Sequence, residues 1–254
     1  MSVLKLFDLS GRKALVTGGS YGLGRAMAEA LLEAGADLGL IDVSDKLADA
    51  ARELSASGRK VIGIRADLSD RRDRVRGFEE FIKNFGTIDI LVNNAGIQRR
   101  HPAEKFPLED WDKVIEINLT ATFELCQLAG RIMLAKGSGK IINVASLLSF
   151  TGGLTVPAYA ASKGGIAQLT KALSNEWAAK GVNVNAIAPG YMDTPLNTAL
   201  IADPVRNRQI LDRIPAGRWG QPQDLKGAAV FLASRASDYV HGAILVVDGG
   251  FLGR

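Results

Sequence analysis

The strongest constraint on the fold is the alternation of short apolar segments with helical ones along the whole sequence. Residues 14–17, 37–41 and 60–65 are the first three apolar segments, and each is short and β-branched. Strands of this kind are typical of a parallel sheet that is covered on both faces. Repeated βα units with short links therefore predict a doubly wound α/β fold, with a mostly or wholly parallel central sheet and helices on both faces.

No internal repeat or low-complexity linker divides the 254 residues. We therefore expect one domain over residues 1–254 that contains both a dinucleotide site and a catalytic site. Residues 190–220 break the alternation, because they contain three prolines, some helical pattern and no strand pattern. Long insertions of this kind in compact domains are often functional lids, so this segment is predicted to cover a substrate.

Charge and composition exclude several classes of protein. The 31 basic residues are interspersed with 27 acidic ones, and only 6% of residues are aromatic, which argues against nucleic-acid binding. The basic run at 71–74 is interpreted as a solvated helix face. No signal peptide or membrane-spanning stretch is found, and Cys126 is the only cysteine. We expect a cytoplasmic protein with a buried, inert thiol, no membrane contact and no metal site.

A glycine-rich turn at residues 17–24 follows the first strand and opens the first helix. Its glycines allow backbone N–H groups to approach a pyrophosphate at the positive end of the helix, although a purely structural turn is the alternative. The turn predicts a Rossmann-type dinucleotide site. The expected contacts are Gly18, Ser20, Tyr21, Gly22, Leu23 and Gly24.

Asp42 ends the second strand, 18 residues after Gly24. An acid at this distance binds the adenosine ribose hydroxyls and repels a 2′-phosphate. The alternative is an N-cap of the following helix, for which Ser44 or Asp45 is better placed. Since no basic residue stands at 20, 21 or 43, NAD(H) is expected to be favoured over NADP(H).

Tyr159 and Lys163 are spaced i and i+4, so they share one face of a predicted helix. A phenol has an ordinary pKa near 10, which is too high for acid/base work at neutral pH. A nearby ammonium, together with the positive charge of an oxidised nicotinamide, would lower that pKa. The pair is therefore compatible with Tyr159 as an acid/base that works with hydride transfer, and a chance surface pair is the alternative.

Successive motifs of the chain resemble those of the short-chain dehydrogenase/reductase family, in the family's order and across nearly the whole length. They are Gly18, Gly22 and Gly24, the Asn-Asn-Ala-Gly of residues 93–96, Ser146, Tyr159 with Lys163, and Pro189-Gly190. Ser146 stands 13 residues before Tyr159, as in the family pattern.

The resemblance implies roles for individual residues. Ser146 would hold the substrate oxygen, Lys163 would bind the nicotinamide ribose, and Asn118 would anchor a water linking Lys163 to solvent. Further cofactor contacts are implied for Asp67, Leu68, Asn94, Ala95, Gly96, Tyr159, Lys163, Pro189, Gly190, Met192 and Thr194. A helix N-cap is the alternative for Asp67.

Residues 93–102 resemble the corresponding stretch of gluconate 5-dehydrogenases. Residues 146–150 and 214–220 resemble 2-deoxy-D-gluconate 3-dehydrogenases as well. The expected substrate is therefore a sugar acid, contacted by Ser146, Tyr159 and Arg100, whose guanidinium would bind the carboxylate. A solvated loop is the alternative for Arg99, Arg100 and His101. Arg213 and Arg218 are expected to add a second charge contact from the lid.

The predicted long helices at 111–135 and 158–180 carry apolar residues on more than one face. Relatives pair through these helices, so a homo-oligomer, specifically a tetramer, is expected, with residues 245–247 and 251–252 at a second contact. Two alternatives remain open. One is a short-chain dehydrogenase that acts on another polyol or carbonyl compound, and the other is a catalytically silent dinucleotide-binding protein.

Overall fold

A computed structural model describes residues 2–254. Seven strands form one wholly parallel sheet in the order β3-β2-β1-β4-β5-β6-β7. They are β1 (Lys13–Thr17), β2 (Asp37–Asp42), β3 (Val61–Arg65), β4 (Ile90–Asn93), β5 (Gly139–Val144), β6 (Val182–Pro189) and β7 (Ile244–Val247). The strand order reverses between β1 and β4, and ligands of such sheets bind at the carboxyl ends of the strands beside that reversal.

Nine α-helices within residues 2–254 cover the sheet. They are α1 (Gly22–Glu33), α2 (Leu47–Ser55), α3 (Arg71–Phe85), α4 (Leu108–Ile115), α5 (Ala121–Lys136), α6 (Pro157–Trp177), α7 (Thr198–Ala202), α8 (Pro204–Leu211) and α9 (Lys226–Ala233). One apolar cluster packs α1, α2 and α9 against the sheet, and a second packs α3, α5 and α6. The predicted doubly wound α/β fold is therefore confirmed.

Residues at the ends of α3 and α6 explain where these two helices begin or end. Asp70 caps α3, since its carboxylate accepts a hydrogen bond from the Asp73 N–H at 2.9 Å. The same helix ends at Gly86, whose φ of 76° lies in the left-handed region that favours glycine. α6 begins with Pro157, whose missing N–H costs nothing in the first turn.

The helix predicted over residues 111–135 begins earlier and is not regular. α4 and α5 are joined by a π-helical turn at Glu116–Thr120, which has Asn118 at its centre. A π turn contains one residue more than an α turn, and such turns occur frequently at functional sites. The apolar periodicity gave no sign of it, because neither Pro nor Gly marks the position.

The interpretation of residues 71–74 as a solvated face is wrong for Arg74, which is fully buried. Its guanidinium donates to Glu116 Oε1 at 2.9 Å, to Glu124 Oε2 at 2.5 Å and to the carbonyl of Leu68. The two carboxylates lie on α5 and on the π turn, far away in sequence, whereas Leu68 lies six residues before Arg74. A buried cation of this kind needs paired carboxylates, and only the tertiary fold supplies them.

Residues 190–220 contain α7 and α8 and no strand. The two ends of the segment are joined by a parallel bridge between Met192 and Gly220. The Asp193 N–H donates to the Gly220 carbonyl at 2.8 Å, and the Gly220 N–H donates to the Tyr191 carbonyl at 2.9 Å. The segment therefore leaves the sheet and returns to it at adjacent points, and its first and last residues are hydrogen-bonded to each other. Across residues 2–254 no helix combines the length and apolarity needed to span a bilayer.

Candidate active site

The glycine turn after β1 requires glycine at three positions. Gly18 and Gly22 have φ angles of +64° and +60°, which other residues rarely adopt. A Cβ on Gly24 would lie 2.1 Å from the carbonyl oxygen of Gly18, so only glycine lets α1 start this close to the turn. The N-terminus of α1 consequently faces the carboxyl edge of the sheet, where an anion is stabilised.

The loop after β4 is joined to this turn by Thr17, which the motif analysis passed over. Thr17 Oγ1 accepts hydrogen bonds from the N–H groups of Asn94 at 3.1 Å and Ala95 at 3.0 Å. In return, Asn94 Nδ2 donates to the carbonyls of Thr17 at 3.0 Å and Gly18 at 3.1 Å. The sequence could have indicated this role of Thr17, because it places a hydroxyl in the last position of a buried strand, directly before the glycines.

A cleft of about 450 Å³ runs along this edge of the sheet. Among the predicted cofactor residues, those that line it are Gly18, Tyr21, Gly22, Leu23, Asp42, Asp67, Leu68, Asn94, Ala95, Gly96, Tyr159, Lys163 and Thr194. Pro189, Gly190 and Met192 line the adjoining pocket instead. Gly24 packs beneath the turn, as described above.

Ser20 is the residue that tests whether a dinucleotide fits here. Its Oγ is buried and has no hydrogen-bond partner among the described residues. An unpaired buried hydroxyl is costly, and a phosphate or ribose oxygen beside the glycine turn would satisfy it. The residues present therefore fit a nicotinamide dinucleotide, whose phosphates the turn and Ser20 would hold.

The structure excludes the helix N-cap alternative for both acidic residues. Asp42 accepts from the N–H groups of Ser20 at 3.1 Å and Ser44 at 3.0 Å, and α2 begins without a side-chain cap. Asp67 accepts from the N–H of Ser69 at 2.8 Å, while Asp70 caps α3. Neither Asp42 nor Asp67 is a helix N-cap, and both face the cleft.

Tyr159 and Lys163 lie one turn apart on α6, as the spacing predicts. Lys163 Nζ lies 5.6 Å from the centroid of the Tyr159 ring and donates to the Val144 carbonyl at 2.6 Å. Burial lowers the pKa of Lys163 to about 8, because desolvation disfavours the ammonium. This lysine therefore sits between the end of β5 and the tyrosine, with its charge poorly solvated.

The pKa of Tyr159 is raised above its ordinary value, mainly by burial. A hydrogen bond with the Ser146 side chain and the positive charge of Arg100 act in the opposite direction. In the protein alone the phenol is thus protonated at neutral pH. Ser146 and Arg100 are the two neighbours that favour phenolate.

Ser146 is fixed by a short 3₁₀ turn, Leu147–Ser149, that follows β5. Its Oγ accepts from the Leu148 N–H at 3.1 Å. Ser149, which the sequence analysis missed, accepts from the Ser146 N–H at 3.3 Å and donates to the Lys163 carbonyl at 2.6 Å. The Ser149 hydroxyl therefore holds Ser146 at a fixed distance from α6. In the sequence, the only indication of this role was the Ser-x-x-Ser spacing of a capping box.

Asn118 is buried in the π turn and joins three parts of the site. Its Nδ2 donates to the carbonyl of Ile97 at 3.0 Å and to Ser162 Oγ at 3.1 Å. Its Oδ1 accepts from the Ile97 N–H at 2.8 Å. A Cβ on Gly96 would lie 3.2 Å from Asn118 Oδ1 and 3.8 Å from Lys163 Nζ, which explains the glycine there.

A second, smaller pocket of about 100 Å³ adjoins the cleft at Tyr159. Ser146, Tyr159 and Arg100 line it, together with parts of residues 190–220. Arg100 donates to Gln98 Oε1 at 3.1 Å and has no carboxylate partner within residues 2–254. Arg99 instead pairs with Asp110 at 3.3 Å and lines the larger cleft.

Arg213 and Arg218, for which a second charge contact is predicted on closure of residues 190–220, do not line this pocket. Arg218 pairs with Asp224 at 2.7 Å, and the guanidinium of Arg213 lies 4.1 Å from the centroid of the Phe251 ring. Among the arginines of residues 190–220, Arg206 on α8 lines the pocket. Nothing in the local sequence distinguishes Arg206 from Arg213 and Arg218, because their directions depend on how this segment folds back.

Fold and site together define an α/β oxidoreductase that binds a nicotinamide dinucleotide. Residues 18–252 match the family model described as enoyl-(acyl carrier protein) reductase, a short-chain dehydrogenase model. The chain belongs to the short-chain dehydrogenase/reductase family, as its motifs indicated.

Relatives at high identity cover essentially the whole chain. A 2-dehydro-3-deoxy-D-gluconate 5-dehydrogenase of Pseudoalteromonas atlantica is 55% identical over 99% of this chain and 100% of its own. A structure from Agrobacterium tumefaciens, provisionally named as a 2-deoxy-D-gluconate 3-dehydrogenase, is 50% identical with a TM-score of 0.90 and coverage of 98% and 99%. A gluconate 5-dehydrogenase from Burkholderia cenocepacia is 42% identical with a TM-score of 0.95 and full coverage of both chains.

These structures overturn the expectation that NAD(H) is favoured over NADP(H). The Agrobacterium protein was crystallised with NADP, and the Burkholderia protein with NADP and tartrate. Two features of this chain give a physical reason. The N–H groups of Ser20 and Ser44 offset the charge of Asp42, and Lys46 Nζ lies 5.8 Å from the ring centroid of Tyr21, a residue that lines the cleft. The earlier inference considered only positions 20, 21 and 43 and so missed this cation.

Proposed function

We propose that the protein is an NADP(H)-dependent dehydrogenase that interconverts a secondary alcohol and a ketone on a sugar acid of the gluconate or deoxygluconate type. The observation that carries this proposal is the pocket in which Tyr159 and Ser146 lie beside two guanidinium groups without carboxylate partners. An anionic substrate would supply the missing negative charge. The names of the relatives support the same class of substrate.

The proposed acid/base is Tyr159, which takes the hydroxyl proton during oxidation and returns it to the carbonyl oxygen during reduction. A bound NADP(H) accepts or supplies the hydride. Ser146 donates a hydrogen bond to the reacting oxygen and stabilises charge that develops on it. Arg100 favours the phenolate form of Tyr159 from the substrate side. The overall step moves one hydride and one proton, so atoms and charges balance.

Lys163 and Asn118 complete the proposed catalytic set. Lys163 Nζ has one hydrogen bond, to Val144, so its other protons remain for a ribose hydroxyl. Both N–H groups of the Asn118 amide are used within the protein. The predicted water relay would therefore rely on the free lone pair of Oδ1, and the side chain otherwise fixes Ile97 and Ser162.

Three further parts of the proposal concern the molecule as a whole. Residues 1–254 form a single catalytic domain, in which residues 190–220 act as the substrate-binding lid. The cofactor-binding set is the one predicted from the motifs, with Ser20 contributing its unpaired hydroxyl. A cytoplasmic location accords with a lone buried Cys126, whose pKa burial raises to about 12.

A dehydrogenase screen tests the proposed activity directly. Oxidation of D-gluconate, 2-dehydro-3-deoxy-D-gluconate and neutral polyols is followed by NADPH absorbance, and each assay is repeated with NAD. We expect turnover of at least one sugar acid and higher kcat/KM with NADP. Turnover of neutral polyols alone would favour a different substrate class, and dinucleotide binding without any turnover would favour the silent binding protein.

Lys46 is expected to contribute to the preference for NADP. Lys46→Ala should raise the KM for NADP about 2- to 5-fold, since an exposed charge contact contributes about 0.5–1 kcal/mol. The KM for NAD should not change, because NAD lacks the 2′-phosphate. Lys60→Ala is the control, because Lys60 Nζ lies over the Phe85 ring, and neither residue lines the cleft. An equal rise for both dinucleotides would contradict the assignment.

The protein is expected to be a homo-tetramer. α5 leaves Phe123 44% exposed, and the edge strand β7 leaves Val246 37% exposed, on two different faces. Burying such apolar residues against a second copy removes them from water. Sedimentation at micromolar concentration should give the tetramer mass for the wild type and a smaller species for Phe123→Glu. Leu4→Glu, at an exposed leucine of the N-terminal turn, is the control, and a monomeric wild type would refute the prediction.

A further inference from the structure

Two arginines from different parts of the chain meet in the pocket beside Tyr159. Arg100 comes from the loop that follows β4, and Arg206 is the third residue of α8 in the lid segment. Neither guanidinium forms an ion pair with a carboxylate anywhere in residues 2–254. Other arginines close to the site are paired, Arg99 with Asp110 and Arg218 with Asp224.

The two charges act on each other. Burial is the main reason that the pKa of Arg100 lies below its ordinary value, and the positive charge of Arg206 shifts it in the same direction. The phenols of Tyr191 and Tyr159 oppose this shift. Like charges that share a partly closed pocket destabilise it until an anion binds between them. The pocket is thus organised for an anion that the protein itself does not provide.

α8 is held in a defined orientation around Arg206. The Asp203 carboxylate caps the helix by accepting from the N–H groups of Val205 at 2.9 Å and Arg206 at 3.1 Å. The neighbouring Asn207 accepts from Trp219 Nε1 at 2.7 Å, which ties the helix to the base of the lid. Among residues 2–254, the Arg206 guanidinium itself has one hydrogen bond, from Nη1 to Gln209 Oε1 at 2.7 Å. Its Nε and Nη2 remain available for an anion.

We propose that Arg206 is a specificity-determining residue that binds the substrate carboxylate jointly with Arg100. The proposal rests on the function proposed above and adds a second cation, which the lid carries. A carboxylate has two oxygens and accepts from two guanidinium groups at once. Because Arg206 belongs to residues 190–220, the bound carboxylate links the lid to the loop after β4. A neutral polyol of the same length forms no such link.

Steady-state kinetics on D-gluconate and D-glucitol test the assignment. Arg206→Ala should lower kcat/KM for the acid about 10- to 100-fold, the size expected for loss of one partner of a charged hydrogen bond. The value for the neutral polyol should hardly change. Arg206→Lys should recover part of the loss, since it keeps the charge without the fork geometry. Arg208→Ala, on the same helix but exposed and outside the pocket, should behave as the wild type.

Tryptophan emission gives a readout that does not depend on turnover. Because Trp219 is bonded to Asn207, its emission should change when L-tartrate or D-gluconate binds to the wild type and to Arg208→Ala. The change should require much higher anion concentrations in Arg206→Ala and should disappear in Trp219→Phe.

Failure of this inference is distinguishable from failure of the proposed function. If no sugar acid is oxidised but the change of tryptophan emission on anion binding still depends on Arg206, the two-arginine site is supported and the proposed reaction is refuted. If Arg206→Ala keeps both the wild-type ratio of acid to polyol activity and the wild-type anion response, the inference is overturned.

Discussion

Tyr159→Phe is expected to reduce turnover about 10²- to 10⁴-fold, the usual contribution of a positioned general acid/base. The substitution removes one oxygen and leaves the ring in place. The reacting hydroxyl then loses the group that takes its proton, while the glycine turn, Asp42 and Lys163 remain. Single-turnover measurement of NADPH formation gives the chemical step, and fluorescence titration with NADPH should give a dissociation constant close to that of the wild type.

Tyr191→Phe is the matched control, because Tyr191 lines the same pocket without contacting Ser146 or Lys163 in any hydrogen bond of the described residues. It should retain most of the turnover. If Tyr159→Phe kept activity within about tenfold of the wild type, below the usual range for such a residue, the acid/base would have to be another group.

Arg100→Ala should lower kcat/KM for the sugar acid about 30- to 1000-fold. Removing one partner of a hydrogen-bonded charge pair costs about 2–4 kcal/mol, and each factor of ten corresponds to about 1.4 kcal/mol. The effect should exceed that of Arg206→Ala, because Arg100 also acts on Tyr159. The kcat/KM for a neutral polyol, compared at the pH optimum of each variant, should fall only slightly.

The pH profile separates the two effects of Arg100. Its positive charge lowers the pKa of Tyr159, so Arg100→Ala should shift the rise of the oxidation rate to higher pH. Arg99→Ala is the neighbouring control, since Arg99 pairs with Asp110 and should leave the profile unchanged. Equal losses on acid and polyol, with no shift of the profile, would mean that Arg100 only supports its loop.

The sequence was sufficient to predict the architecture, because each βα unit has a recognisable pattern within a short stretch of residues. A few consecutive residues are enough to identify a short apolar strand, a helix-ending glycine such as Gly86 or the glycine turn at Gly18. The shared helix face of Tyr159 and Lys163 also followed from their spacing, whereas Ser146 was identified through the resemblance to the family. These predictions needed no knowledge of distant contacts.

Several features that the sequence did not predict depend on contacts between distant segments. Arg74 is buried because Glu116 and Glu124 come from other helices. Arg206 reaches the pocket only because the lid folds back, whereas Arg213 and Arg218, equally plausible along the chain, point elsewhere. The cofactor preference failed for a different reason, since Lys46 is only four residues from Asp42 but lies outside positions 20, 21 and 43, at which a cation was sought.

The bridge between Met192 and Gly220 makes residues 190–220 a separable cassette. Its entry and exit are adjacent, so a cassette of different length or sequence can be joined to the same two ends without altering the register of β6 and β7. The proposed proton-transfer groups, on α6 and in the turn that follows β5, lie outside it. A graft of residues 190–220 between family members would exchange Arg206 and leave Arg100, Ser146 and Tyr159 in place, so it should alter only the contribution of this segment to the binding of the carboxylate.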